Sequence, residues 1–220
     1  LLLLWEIPYY IFPIIALFCN IIVVTGNSIN YIRAGNHNFK LLIPFLVGSI
    51  PFAYFGGTLV INKEIFEILL FIVLSIAGFL LLLNNKAYEN KDVIIQKLNF
   101  FVSIIIGSFL GLISGIVGIG GGIFLSPILF LLKADKPKNI VTTASLFILV
   151  NSISGVFGQL TKDNVLNEFI LYWPLFLTVL IGGFIGNYLN LKIFSNRILA
   201  LITSLLVIFV AVRMAFRIFI

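Results

Sequence analysis

The stretch that decides the fold is LNFFVSIIIGSFLGLISGIVGIGGGIFLSPILFLL, residues 98–132, an apolar run interrupted near its centre by glycines. A helix rises about 1.5 Å per residue, so roughly 20 residues cross the ~30 Å hydrocarbon core of a bilayer. The 35 residues of this run are too many for one simple span and too few for two. Unwound backbone at membrane depth is tolerated only inside protein or beside water. Residues 98–132 are therefore the candidate for the functional site of the molecule.

The composition around this run is that of a membrane protein. Of the 220 residues, 61% are hydrophobic and 10% are charged, against roughly 25% charged in a soluble domain. We predict an all-α polytopic protein of the cell membrane (plasma or inner) with about seven membrane elements. These elements are 8–32, 39–61, 65–84, 98–132, 139–160, 167–190 and 196–219. The net charge of +6 lies in short loops, where it orients helices, so the lipid bilayer is a partner and nucleic acid is not.

The chain repeats weakly along its length. An offset of about 129 residues aligns an acid, prolines and glycines of the two halves: Glu6 with Asp135, Pro8 with Pro137, Gly26 with Gly155, Pro44 with Pro174 and Gly56 with Gly186. We predict a first half-repeat at 1–97 and a second at 98–220, together forming one transmembrane domain. The first half lacks its own glycine-rich element, which we expect upstream. The alternative is a chance alignment of apolar sequence.

The loop charges indicate how residues 98–132 are placed. If this element dips into the membrane and returns to the same side, ten Lys and Arg residues lie on one side and four on the other. A single crossing instead divides them eight to six. The positive-inside rule favours the larger asymmetry, so we predict a re-entrant element between inverted halves.

Chemistry that needs charged or metal-binding groups is not expected in the spans. All eight acids lie in loops or near span ends, and the one histidine, His37, lies in a loop. An intramembrane serine protease signature at Ser114-Gly115 would need glycine where Leu112 stands. We therefore expect no enzyme, no metal site and no cofactor.

Glycine spacing separates two roles within the run. Gly107, Gly111 and Gly115 repeat every four residues, which is typical of helix packing. The denser cluster suits a small anion, because successive backbone N–H groups and a following helix start converge there, although a hinge or close packing is the alternative. Our candidate binding residues are Gly118, Gly120, Gly121 and Gly122, with Pro127 fixing the structural break.

Neutral polar residues gather in two spans that the repeat relates. The first span holds Asn20, Thr25, Asn27, Ser28 and Asn30. The second span, 139–160, contributes Ser145, Asn151 and Ser152 as side-chain candidates for the substrate path, because hydroxyl and amide groups can donate to an oxyanion. Bonds to neighbouring helices are the other use for such residues.

These motifs resemble the sulfite exporter TauE/SafE-like membrane proteins. The resemblance is carried by GLISGIVGIGGGIFLSPILFLL at 111–132, TTASLFILVNSISG at 142–155 and PLFLTVLIGGFIGNYL at 174–189. It implies a transporter of small, often sulfur-containing anions such as sulfite, sulfonates or thiosulfate-like species. The chain departs from the family pattern by lacking the first glycine-rich element. The alternatives are an anion channel and a non-transporting membrane scaffold or assembly protein.

Overall fold

The computed structural model describes residues 7–83, 95–96, 98–162, 165–192 and 196–219. These ranges contain helices and no strand, which confirms the predicted all-α class. The helices are α1 (Phe12–Arg33), α2 (Phe39–Thr58), α3 (Lys63–Leu83), α4 (Phe100–Val117), α5 (Gly122–Leu131), α6 (Pro137–Gln159), α7 (Val165–Ile170), α8 (Trp173–Lys192) and α9 (Asn196–Phe219).

Five of the described helices, α1, α2, α3, α4 and α6, are long and apolar enough to cross a membrane. Shorter apolar helices are α5 and the segments Trp173–Gly186 and Leu201–Phe216. Large apolar side chains remain exposed along them, Phe101 by 74% and Phe184 by 70%. A surface of that kind suits hydrocarbon rather than water. The protein is therefore a multi-pass membrane protein, as predicted.

Helix ends follow local sequence signals. The side chains of Asn38 and Asn99 accept N–H bonds at the starts of α2 and α4, the usual role of asparagine at an N-cap. Where 167–190 was predicted as one span, the structure has α7 and α8, separated by a turn at 171–172. Pro174 explains the difference, because proline has no N–H to continue a helix from the preceding turn and is favoured in the first turn of a new one.

Helices α2, α4 and α6 run parallel to one another from one end of the bundle. Successive contacts between α4 and α2 advance in the same chain direction, from Gly107 against Phe45 to Gly115 against Ala53. Along α6 and α2 the Ser154 hydroxyl donates to the Ile50 carbonyl, and one turn later Gly158 lies against Tyr54. Helix α1 runs antiparallel to α6.

Residues 98–132 form a hairpin. The backbone N–H of Gln96, just before the hairpin, donates to the Lys133 carbonyl just after it at 3.0 Å, so its two ends meet. The arms are unequal: α4 has 18 residues, about 27 Å at 1.5 Å per residue, whereas α5 has 10. Leu125 and Leu129 of α5 are fully buried, which anchors the short arm in the core.

The Lys and Arg residues in the described part of the chain lie at the ends of the bundle that the predicted ten-to-four division assigns to them. Seven lie at the end where the hairpin begins and returns, and four lie at the opposite end. The first group is Arg33, Lys40, Lys133, Lys136, Lys138, Lys192 and Arg197, and the second is Lys63, Lys162, Arg213 and Arg217. Lys86, Lys91 and Lys97, which the same prediction used, fall outside the described residues.

A buried carboxylate joins the loops at the end where the hairpin closes. Asp135 is 5% exposed and accepts bonds from Asn38 Nδ2 at 2.7 Å, the Lys136 N–H at 2.7 Å and Asn139 Nδ2 at 3.1 Å. Since Asn38 caps α2 and Asp135 precedes α6, these bonds fix the starts of two parallel helices against each other.

We expect Asp135→Ala to destabilise the protein more than Asp135→Asn. Alanine leaves three donors without their acceptor, and a hydrogen bond to a charged group contributes about 1.5–3 kcal/mol. Asparagine keeps one acceptor oxygen and should retain part of that contribution. Thermal unfolding of both variants in detergent measures the difference, and equal midpoints would show that the carboxylate does not hold the loops together.

Candidate functional site

The helix break in the hairpin consists of residues 118–121. Helix α4 ends at Val117, and Gly118, Gly120 and Gly121 have φ of 84°, 78° and 69°. This left-handed backbone is disfavoured for residues that carry a Cβ, which explains three glycines within four positions. Helix α5 begins at Gly122 and continues through Pro127 to Leu131. The prediction that Pro127 fixes the break is therefore wrong in position, because the glycine conformations set it upstream of the proline.

The break leaves backbone donors without partners. The Gly118 N–H donates to Ser114 and the Gly122 N–H donates to Gly120, both at 2.9 Å. The N–H groups of Ile119, Gly120, Gly121 and Ile123 make no hydrogen bond within the described part of the chain. They stand at or just before the start of α5, where the helix dipole adds partial positive charge.

Two amide side chains bind carbonyls next to the break. Gln159 Nε2 of α6 donates to the Gly115 carbonyl at 2.8 Å. Asn20 Nδ2 of α1 donates to the Gly118 carbonyl over a longer 3.4 Å. In a continuous helix these carbonyls would accept the N–H groups of residues 119 and 122 instead. Side chains from two other helices thus replace the helical bonds that the break removes.

A cavity of about 490 Å³ lies against the break, between α1, α5 and α6. Gly118, Ile119, Gly122 and Ile123 form one wall. The polar side chains of the lining are neutral and comprise Asn20, Asn27, Tyr31, Ser126 and Ser145. No lining residue is charged. Ile119 and Ile123 carry unpartnered N–H groups, so residues with unpartnered backbone donors share the lining with residues that carry hydroxyl and amide groups.

Buried polar atoms without partners surround the same loop. Ser114 Oγ, Asn151 Oδ1 and Ser152 Oγ are buried and make no hydrogen bond within the described part of the chain. A Cβ built on Gly120 would lie 3.2 Å from Ser152 Oγ and 3.0 Å from Asn20 Nδ2, so both side chains face that glycine. Buried polar groups normally have partners, and orphans next to a cavity are typical of a functional site.

The predicted binding residues fall into two groups, those that line the cavity and those that do not. Gly118, Gly122 and Ser145 line the cavity. The other four predicted binding residues are buried and do not line it; they are Gly120, Gly121, Asn151 and Ser152. Ser145 Oγ also shares a 3.0 Å hydrogen bond with Ser28 Oγ of α1. Gly107, Gly111 and Gly115 lie on the other face of α4, against the α2 backbone.

Several site residues lay outside the predicted set. Asn20 and Asn27 of α1 line the cavity, and their spacing of seven residues, which places them on one helix face, was the available signal. The N–H groups of Ile119 and Ile123 were missed because an apolar side chain conceals what its backbone offers. Gln159 was missed because its partner, Gly115, is 44 residues away in sequence.

A second cavity of about 430 Å³ lies on the other side of α1, against α8. Its lining includes Thr25, Asn27, Asn30 and Arg33. Asn27 therefore borders both cavities. Arg33, in the last turn of α1, makes no ion pair within the described part of the chain. The second cavity thus presents a positive charge at the end of the bundle nearest Asn27.

Comparisons with known proteins agree on one class. A family model described as "Sulfite exporter TauE/SafE" matches residues 1–214. A probable membrane transporter protein of Sinorhizobium fredii is 23% identical over 192 residues, covering 87% of this chain and 77% of that protein. Another, from Methanocaldococcus jannaschii, is 29% identical over 183 residues, covering 79% and 67%. A third, from Haemophilus influenzae, is 32% identical over 98 residues, covering 44% and 36%. No solved structure matches the chain.

Proposed function

The chain belongs to the sulfite exporter TauE/SafE family of membrane transporters, and from that membership we propose that it carries a small sulfur-containing anion across the bilayer. The anion would be sulfite, a sulfonate or a thiosulfate-like species. The observation that carries the proposal is the set of unpartnered N–H groups at the break, two of which belong to residues that line the 490 Å³ cavity. Converging N–H groups at a helix start are a recurrent way to bind an anion without a cation.

The neutral lining supports release as well as binding. The cavity has no lysine or arginine to hold the anion in a fixed ion pair, and no carboxylate to repel it. Hydroxyl and amide donors such as Ser145, Asn20 and Asn27 would replace the hydrogen bonds to water that the anion loses on binding. Arg33 in the second cavity would raise the local concentration of anions near Asn27, since an unpaired positive charge attracts them over several ångströms.

We also propose that residues 1–97 and 98–220 are inverted halves of one domain. Two observations support this arrangement. Helix α1 runs antiparallel to α6, its partner in the repeat, and the aligned cations Arg33 and Lys162 lie at opposite ends of the bundle. Inverted halves with a broken helix between them are a common plan among secondary transporters, in which the site lies near the membrane midplane.

A panel of anions tests the proposed function. We expect sulfite or thiosulfate to raise the thermal unfolding midpoint of the purified protein, since a ligand that binds only the folded state stabilises it. Sulfate and taurine complete the panel, and uptake of labelled sulfite into proteoliposomes tests transport directly. If no member of the panel raises the midpoint and none is taken up, the sulfur-anion proposal is wrong.

Electrical recording distinguishes a carrier from the alternative of an anion channel. We expect no unitary currents across a planar bilayer, because a carrier turns over far more slowly than an open pore conducts. A scaffold protein would show neither current nor uptake. Each of the three classes therefore gives a different pair of results.

A further inference from the structure

The carbonyl of Gly115 is the first in α4 that accepts no helical hydrogen bond, since the Gly118 N–H donates to the Ser114 carbonyl before it. In an uninterrupted helix it would accept the N–H of Ile119. Here it accepts Gln159 Nε2 at 2.8 Å, and the Ile119 N–H has no partner within the described part of the chain. Gln159 is fully buried, so water does not compete with it for this carbonyl. One side chain thus occupies the acceptor that would otherwise draw the Ile119 N–H back into the helix.

Lys162 fixes the orientation of that amide. Its Nζ donates to Gln159 Oε1 at 2.9 Å. An ammonium group can only donate, so the amide oxygen must face Lys162 and the amide nitrogen must face Gly115. Lys162 lies just beyond α6, outside the membrane-spanning helices. The order of contacts is therefore Lys162, Gln159, Gly115 and then the break.

We propose, building on the transport function above, that Gln159 and Lys162 are positioning residues. They keep residues 118–121, which follow α4, out of helical conformation and leave the Ile119 N–H available to the anion. Gln159 acts by occupying the Gly115 carbonyl. Lys162 acts by keeping the donor end of the Gln159 amide on that carbonyl. Neither residue lines the cavity, so both act through the break, whose Gly118 and Ile119 do line it.

Two substitutions of Gln159 test this role. Gln159→Glu keeps the shape and, as the carboxylate paired with Lys162, has no donor for Gly115. Gln159→Met keeps the length without polar atoms and has no donor in any protonation state. We expect both to raise the KM for sulfite uptake by about tenfold, equivalent to roughly 1.4 kcal/mol, with a smaller change in maximal rate. A side chain that only ties α6 to α4 would lower the amount of folded protein and leave KM unchanged.

The matched control is Ser154→Ala. Ser154 Oγ of α6 also donates to a backbone carbonyl of another helix, that of Ile50, at 2.7 Å, but away from the break. We expect its KM to match that of the unsubstituted protein. If Gln159→Glu shares that KM while the unsubstituted protein transports sulfite, the positioning role is wrong and the proposed function stands. If the unsubstituted protein takes up no sulfite, the proposed function itself fails.

Lys162 offers a second test, which does not alter the buried glutamine. Burial lowers the pKa of Lys162 from 10.5 to about 8. At this end of the bundle α2 brings Tyr54, the turn before α1 brings Tyr9 and Tyr10, and α4 brings no titratable side chain. Glu168 of α7, which accepts from Tyr10, Tyr172 after α7 and Arg213 of α9 lie at the same end. Lys63, Glu64 and Glu67 lie in the first turns of α3 there, and Asp163 lies outside the described residues. A neutral amine donates more weakly than an ammonium, so the KM for sulfite should rise as the pH passes 8.

Lys162→Met should remove that rise, whereas Lys138→Met at the opposite end of the bundle should keep it. The ionisation of sulfite itself is common to all three proteins and cancels in the comparison. Because the folded pKa of about 8 lies below the ordinary 10.5, Lys162 makes folding more favourable, not less, as the pH rises between those values. A rise in KM in this window therefore does not arise from unfolding driven by Lys162. Identical pH profiles for Lys162→Met and Lys138→Met would overturn the role of Lys162.

Discussion

Gly118→Ala is expected to abolish sulfite uptake and to lower the free energy of unfolding by roughly 2–5 kcal/mol, the sum of left-handed backbone strain and overpacking. Gly118 has φ of 84°, a conformation that disfavours any Cβ. A Cβ there would also lie 2.6 Å from Pro13 Cα and 2.7 Å from the Pro13 carbonyl oxygen. Both contacts are with backbone, so no side-chain rotation relieves them. The break would have to move away from α1, and Asn20 would lose the Gly118 carbonyl.

Gly35→Ala is the matched control for this substitution. Gly35 has a similar φ of 71°, but a Cβ there meets nothing within 4 Å. It therefore carries the backbone strain of about 1–2 kcal/mol without the clash, and it lies in the loop after α1. We expect Gly35→Ala to retain uptake with a modest loss of stability. Thermal unfolding in detergent and proteoliposome uptake, measured on both variants, separate the two contributions. If both variants lose the same stability and retain the same uptake, the close approach of Pro13 to the break does not contribute to function.

Much of the framework was readable from the sequence, for physical reasons. Long apolar runs have few alternatives to membrane helices, and the family resemblance is confirmed by the match over residues 1–214. The hairpin was predicted from loop charge, because ten Lys and Arg residues lie on one side of the membrane only if residues 98–132 return to the side from which they enter. The glycine cluster marked the break, since only glycine tolerates left-handed backbone at three positions so close together.

The parts that sequence did not reveal depend on partners distant along the chain. Spacing places Gln159 on a face of α6, but nothing local shows that the Gly115 carbonyl lies opposite it. Pro127 was a misleading signal, because α5 continues through it: Pro127 is the sixth of the ten residues of that helix. Which N–H groups stay unpartnered depends on the dihedral angles of each glycine, and the residues packed against these glycines, Pro13, Phe147 and Ile148, are distant along the chain.

Gly111→Ala is expected to lower the free energy of unfolding by about 3 kcal/mol, at the upper end of the range for overpacked cores. A Cβ at Gly111 would overlap the Ser49 carbonyl oxygen and lie 2.7 Å from Ser49 Cα and 2.9 Å from Ser49 C. Gly107 and Gly115 make equivalent approaches to Phe45 and Ala53, so α2 and α4 touch backbone to backbone along the stripe. Small residues permit this approach, and dispersion and weak Cα–H bonds stabilise it. Thermal unfolding in detergent measures the loss.

The matched control is Gly186→Ala in α8, where a Cβ meets nothing within 4 Å. Alanine is favoured over glycine inside a helix by about 1 kcal/mol, so this variant should be as stable as the unsubstituted protein or more so. A second variant tests the cause of the Gly111 effect. Ser49→Gly added to Gly111→Ala should not restore stability, because the atoms in conflict belong to the backbone of residue 49 and remain after its side chain is removed. Restoration by Ser49→Gly would mean that α2 and α4 are held apart by side chains, and that the glycine stripe does not set their distance.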